Sequence, residues 1–333
     1  SGGNIQKRST AFVLLDLIND AAPAVEREFV ACSPRPGAGL PGECDANSDE
    51  DVMASHAYCW DETGAAGSVQ IGGATLETYS VGPPPGETPT LVLLHEGLGC
   101  VDLWRDFPQR LFAETGCGVF AFSRAGYGRS DACSLPRPLD YMTREAVSVL
   151  PEVLDAIGFM DGILIGHSDG ASIAAIYAGA QRDPRVRGVV LMAPHFFTEA
   201  MGLAAIAEAR TAYSYGDLRD RLAKYHEHVD AAFRGWNDAW LDPGFEEWNI
   251  QNYLDEVTVP VLCLQGDSDQ YGTRAQVDVV AQRTPGPVTI RMIPDCRHSP
   301  HLEAPDVVQT EIAAFLDGLS GKMAQLKTGD GDA

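Results

Sequence analysis

Gly166-His167-Ser168-Asp169-Gly170 carries the most specific chemistry in this sequence. It follows an apolar run, Gly162 to Ile165, and precedes a helical pattern starting at Ala171. A Gly-x-Ser-x-Gly at a strand-to-helix junction makes a tight turn that lifts the serine hydroxyl clear of the sheet. Side chains in place of the flanking glycines would collide with neighbouring backbone. The amide after the serine points toward a reacting carbonyl, and the helix N-terminus favours negative charge developing there. Ser168 is the expected nucleophile, and the N–H of Asp169 is one expected oxyanion donor.

A serine needs a base, and eight histidines are available. His298 follows the late apolar run Val288 to Ile293, which places it on a loop at the carboxyl end of a last strand. His301 is its local rival, nearer the final helix and expected to pack or to face water. The base in turn needs an acid to fix its tautomer. Gln265-Gly266-Asp267-Ser268-Asp269 ends the run Val261 to Leu264 and lies between serine and histidine in chain order. Asp269, deeper in that loop, is favoured, while Asp267 is expected to bond the loop backbone. A second oxyanion donor is expected from His95-Glu96-Gly97-Leu98-Gly99, with Gly97 first and Leu98 second.

The elements that must position these groups alternate. Strand-like runs at Leu91 to Leu94, Val119 to Phe122, Ile163 to Ile165, Val189 to Met192, Val261 to Leu264 and Val288 to Ile293 are separated by helical stretches. Short continuous apolar strands between helices indicate an α/β fold with a parallel sheet buried on both faces. Ahead of them, Gly72-Gly73 joins two runs as a hairpin. Between Phe197 and Thr258 lie about 60 residues of helical character with no strong strand. An insertion there overhangs the carboxyl ends of the strands, where open α/β sheets bind ligands, so 198–257 is expected to be a helical cap. The core is then 66–197 and 258–319, with 1–65 an extension of unreadable role and 320–333 a frayed tail. Trp236 and Trp240 share a helix face. With Phe196 they are candidates to line an apolar or aromatic pocket, or else to glue the cap to the core.

The chain has 333 residues and a formal net charge of -23. Such a surface repels nucleic acid and anionic membranes, so neither is an expected partner, and a small molecule is. No run approaches a membrane span, and the short apolar run near the start, broken by Asp16 and Asp20, lacks the form of a secretory signal. A cytoplasmic protein is expected. None of the eight cysteines forms a Cys-x-x-Cys pair, so no zinc site or other metal is expected, and no cofactor. Cys32, Cys44 and Cys59, with His56 nearby, leave room for a disulfide or a stray metal site.

Together these segments resemble the α/β-hydrolase family over about Ser68 to Leu319. The resemblance rests on the His95 loop, on Ser123-Arg124-Ala125-Gly126-Tyr127-Gly128-Arg129-Ser130, on the Ser168 elbow, on Gly266-Asp267-Ser268-Asp269, and on the His298 loop ending Leu302-Glu303-Ala304-Pro305. It implies the α/β-hydrolase fold with a helical cap inserted between late strands, and a Ser168–Asp269–His298 triad. Three positions depart from the pattern. Glu96 replaces a glycine, Ser123 replaces an aspartate before Arg124, and Arg297 replaces a small residue before the histidine. Epoxide hydrolases and dehalogenases of this family carry aspartate at the elbow centre, which Ser168 argues against. The expected reaction is hydrolysis of a small or medium apolar carboxylic ester through an acyl-enzyme. A thioesterase or carbon–carbon bond hydrolase with the same triad, and a binding protein on the same scaffold, are the alternatives.

Overall fold

The computed structural model describes residues 58–329, with side chains described to Ser320. Residues 1–57 of the expected extension, with Cys32, Cys44 and His56, lie outside the described residues. Cys59 is disulfide-bonded, and Cys100, Cys117, Cys133, Cys263 and Cys296 are free.

The apolar runs become strands because they are buried along their whole length. β3 (Thr90–Leu94), β4 (Gly118–Phe122), β5 (Gly162–His167) and β7 (Val261–Gly266) are buried at every position. Alternate residues feed two cores: Val92 and Leu94 pack on one side of the sheet, Leu91 and Leu93 on the other. With β1 (Ala65–Ile71), β2 (Ala74–Val81), β6 (Val186–Met192) and β8 (Val288–Ile293) they form an eight-stranded sheet in the order β1-β2-β4-β3-β5-β6-β7-β8. The β1–β2 and β2–β4 pairs are antiparallel and the others parallel. This is the expected α/β-hydrolase fold.

The strand order reverses at β3, whose chain leaves to β4 on one side and returns to β5 on the other. The crevice outside the carboxyl ends of β3 and β5 is therefore the ligand-binding position of an open α/β sheet. It holds both the His95 loop and the Ser168 elbow.

Helices cover both faces. The first helical stretch after β3 divides into a 3-10 turn, Val101–Trp104, and α1 (Phe107–Thr115), broken at Arg105 with φ 54°. Pro108 explains the break, since its ring would strike the carbonyl four residues back in a continuous helix. The same physics acts at Pro151. There α2 (Tyr141–Arg144) and α3 (Leu150–Ala156) are joined by a wider π turn, Glu145–Val149. α4 (Asp169–Gln181) follows the elbow. Between β6 and β7 lie α5 (Ala200–Tyr215), α6 (Leu218–Leu222), α7 (Val229–Trp240) and α8 (Gln251–Leu254). The ends of this insertion are pinned to each other: Ile250 N–H donates to the Phe196 carbonyl at 2.8 Å, and Thr198 N–H to that of Trp248 at 3.2 Å. α9 (Arg274–Arg283), α10 (Pro300–Glu303) and α11 (Pro305–Gly329) complete the chain. The backbone of α11 runs past Ser320 to Gly329.

Candidate active site

Ser168 stands between β5 and α4 with φ 53° and ψ -117°, a conformation costly for any residue with a side chain. The turn is tight enough to exclude a Cβ at either glycine. One on Gly166 would lie 2.2 Å from the Gly170 carbonyl oxygen, and one on Gly170 would lie 1.9 Å from that of Leu94.

Three elements bring their side chains together here. Ser168 Oγ lies 3.0 Å from His298 Nε2. His298 Nδ1 lies 2.9 Å from each oxygen of Asp269. Ser168 comes from the elbow, Asp269 from the loop after β7 and His298 from the loop after β8, and all three are buried. The Asp269 carboxylate also accepts from Gln265 Nε2 at 2.7 Å and from the Tyr271 amide at 2.8 Å. Burial alone would raise its pKa, but the charge and hydrogen bond of His298 and the Tyr271 amide hold it below the usual carboxylate range. Burial likewise works against charge on His298, and Asp269 overrides it, leaving the pKa raised. Such a chain can take a serine proton onto imidazole and hold the resulting cation.

The rivals are elsewhere. Asp267 accepts from the Asp295 amide at 3.0 Å and from Ser268 Oγ at 2.9 Å, which closes the loop turn. His301 is buried against Trp104 and Phe107, with ring centroids 4.8 and 5.4 Å away, and burial holds it neutral.

The amides of Asp169, Gly97 and Leu98 donate to no protein group among the described residues. All three residues line the pocket in which Ser168 opens. Their loop is held by Arg124, whose guanidinium donates to the carbonyls of His95 at 2.6 Å and Glu96 at 2.9 Å. The pocket measures about 460 Å³ including its open mouth. Ile206, Trp236, Trp240 and Tyr271 supply its apolar wall, and among the described residues no lysine or arginine lines it.

Phe196 is a correction. It is fully buried outside the pocket lining, its amide donating to Gln276 Oε1 at 2.7 Å. Its carbonyl accepts from the Ile250 amide at the base of the insertion, and its ring packs inward against the core.

Other residues of the site went unread in the sequence. His195, held neutral by burial with a pKa near 3, has its ring centroid 5.5 Å from that of His298. Its place just past the end of β6, on the same sheet edge as the other loops, was the available signal. Tyr141 donates to Asp169 and accepts from Trp240 Nε1 at 3.0 Å, linking cap helix α7 to the elbow; nothing in its local sequence marks it. Among the described residues no group of three or more His, Cys, Asp or Glu is placed to hold a metal ion.

A model of the alpha/beta hydrolase family matches residues 91–310. Epoxide hydrolase B of Mycobacterium tuberculosis is 32% identical over 120 residues, which cover 35% of this chain and 32% of that protein. The match thus spans about a third of that relative's length. The non-heme chloroperoxidase of Streptomyces lividans is 25% identical over 259 residues, 68% of this chain and 91% of that one. Among solved structures, a membrane phospholipase A described as a bacterial virulence factor superposes with TM-score 0.64 at 21% identity, covering 77% of this chain and 87% of that chain.

Proposed function

This chain belongs to the alpha/beta hydrolase family, and on that premise we propose that it is a serine hydrolase cleaving a small or medium apolar carboxylic ester through an acyl-enzyme. The observation that carries this is the Ser168 hydroxyl, 3.0 Å from His298 Nε2, at an apolar pocket. Ser168 Oγ bonds the acyl carbon as its proton passes to His298. The charge that develops on the acyl oxygen is met by the N–H of Asp169 and by a second amide from Gly97 or Leu98. His298, held by Asp269, then protonates the departing alcohol. Water repeats the sequence on the acyl-enzyme and frees the acid.

The pocket favours this substrate class. Its wall of Ile206, Trp236, Trp240 and Tyr271 suits an apolar acyl group. Among the described residues no lysine or arginine lines it to receive an anionic group such as a coenzyme A thioester. Serine at the elbow centre separates this chain from the aspartate pattern of epoxide hydrolases.

The test is a series of p-nitrophenyl esters from acetate to octanoate, with wild type and Ser168→Ala, alongside fluorophosphonate labelling. We expect turnover of the short and medium esters, a loss of at least about 10³-fold in the variant, and a label on Ser168. Turnover that survives Ser168→Ala would remove the mechanism. Folded protein that neither turns over ester nor takes the label would instead indicate a binding role.

A further inference from the structure

Among the described residues four buried histidines have a hydrogen-bond partner at both ring nitrogens, and three of them fit neutral imidazole. His95 donates from Nδ1 to the Glu96 carbonyl at 2.7 Å and accepts at Nε2 from the Arg124 amide at 3.1 Å. His226 accepts from the Gly128 amide at 2.9 Å and donates to the Leu98 carbonyl at 3.0 Å. His298 donates to Asp269 and accepts from Ser168. His167 differs. Its Nε2 lies 2.7 Å from the His298 carbonyl oxygen and its Nδ1 lies 3.3 Å from Glu96 Oε2. A carbonyl oxygen only accepts, and so does an ionised carboxylate. Both nitrogens satisfy these partners only if both carry protons.

We propose that His167 is an imidazolium paired with the Glu96 carboxylate, and that this pair ties the loop after β3 to the His298 loop and so positions the base. The inference rests on His298 acting as the base in the reaction above. It gives a role to Glu96, the acidic residue in the loop after β3. The carboxylate folds back over Gly99, where a Cβ would lie 2.4 Å from Oε2, and reaches His167. Its own carbonyl accepts from Arg124 and from the Gly99 amide. One residue thereby anchors the loop at backbone and side chain. His167, one position before the nucleophile, carries the link on to the main chain of His298.

The titratable neighbours leave the charge on this pair. His301 and His95 stay neutral through burial. The His301 ring centroid is 4.9 Å and the His298 centroid 5.2 Å from that of His167. Asp169 faces Glu96 from the elbow, Glu303 faces His298 from α10, and Arg105 faces His301. Burial works to raise the Glu96 pKa, but the hydrogen bond and charge of His167 hold it far below the carboxylate range. Glu96 also contributes to the raised pKa of His298.

The test is ¹⁵N NMR of histidine side chains in the wild-type protein at neutral pH, with the His167 signals identified by their loss in His167→Asn. We expect the shifts of a doubly protonated ring at His167 and of neutral rings at His95 and His226. A neutral His167 overturns the proposal and leaves the Ser168 chemistry untouched, because fluorophosphonate labelling reads that separately. In Glu96→Gln the side-chain amide can donate to Nδ1, so His167 becomes neutral and the fold survives. There we expect kcat about tenfold lower, with KM within about twofold. Glu96→Gln with wild-type kcat also overturns it, because a merely structural contact would change only thermal stability.

Discussion

Asp267 and Asp269 lie two positions apart on one loop, and their partners separate them. Asp269 faces His298 Nδ1 from a buried position, while Asp267 closes an exposed turn. Asp269→Asn keeps the volume but removes the charge that orients the imidazole, so kcat is expected to fall by about 10²- to 10⁴-fold with the melting temperature little changed. Asp267→Asn is expected to stay within about threefold of wild type, since only a turn contact weakens. Steady-state kinetics on both variants decide it, and reversed effects would move the acid. The pH profile follows from the raised His298 pKa. Only neutral imidazole accepts the serine proton, so kcat/KM falls as pH drops through an apparent pKa above the ordinary value of about 6.5. In Asp269→Asn the limb shifts downward, because the group that overrides burial is gone. His301 belongs to packing. His301→Ala empties a site against Trp104 and Phe107, costs about 2–4 kcal/mol by denaturant unfolding, and leaves the limb where it was.

At the scale of elements, the positions that depart from the family pattern are each met by a neighbour. Ser123 donates to Glu77 Oε2 at 2.7 Å, and the Arg129 amide donates to the same oxygen at 3.1 Å, so β2 supplies a buried carboxylate to this segment. Arg297 donates from Nε to Glu303 Oε2 at 2.9 Å, and the Arg297 and Ser299 amides donate to the same carboxylate at 3.1 Å, which fixes the base loop onto α10. Cap helix α7 presents Trp236 and Trp240, four residues apart, to the pocket, and the Trp236 ring lies over Gly97. Trp236→Ala opens space at that wall. The kcat/KM ratio of octanoate to butyrate ester is expected to rise about tenfold, within the range that a few buried methylenes command. An unchanged ratio would mean that the acyl chain does not run along α7.

At the scale of the molecule, the net charge of -23 dominates. Many arginines are paired on the surface, for example Arg283 with Asp255 and Arg219 with Asp230, yet the excess acid repels itself. Salt screens that repulsion over a Debye length of about 10 Å at 0.1 M. Raising NaCl from about 0.01 M to 0.5 M is therefore expected to raise the melting temperature by several degrees in a calorimetric scan. A falling temperature would place the important electrostatics in the surface pairs instead. Among the described residues no helix is long and apolar enough to cross a membrane.

What the sequence determined by itself was local. Continuous apolar runs specify buried parallel strands, paired glycines specify the elbow, and the order of Ser168, Asp269 and His298 follows from loops that all leave one edge of the sheet. Those features depend on neighbours within a few residues, where propensity and sterics act directly. Tertiary structure decided whatever depends on which side chain arrives from a distant segment. Phe196 and Trp240 are equally apolar in sequence, but only Trp240 reaches the pocket, because the pinned base of the cap turns Phe196 inward. Glu96 departs from the family pattern in sequence, and only the fold brings it its partner, His167, 71 positions away and 3.3 Å from it. The protonation state of that histidine is set by two acceptors from two other loops, and no spacing along the chain encodes their meeting.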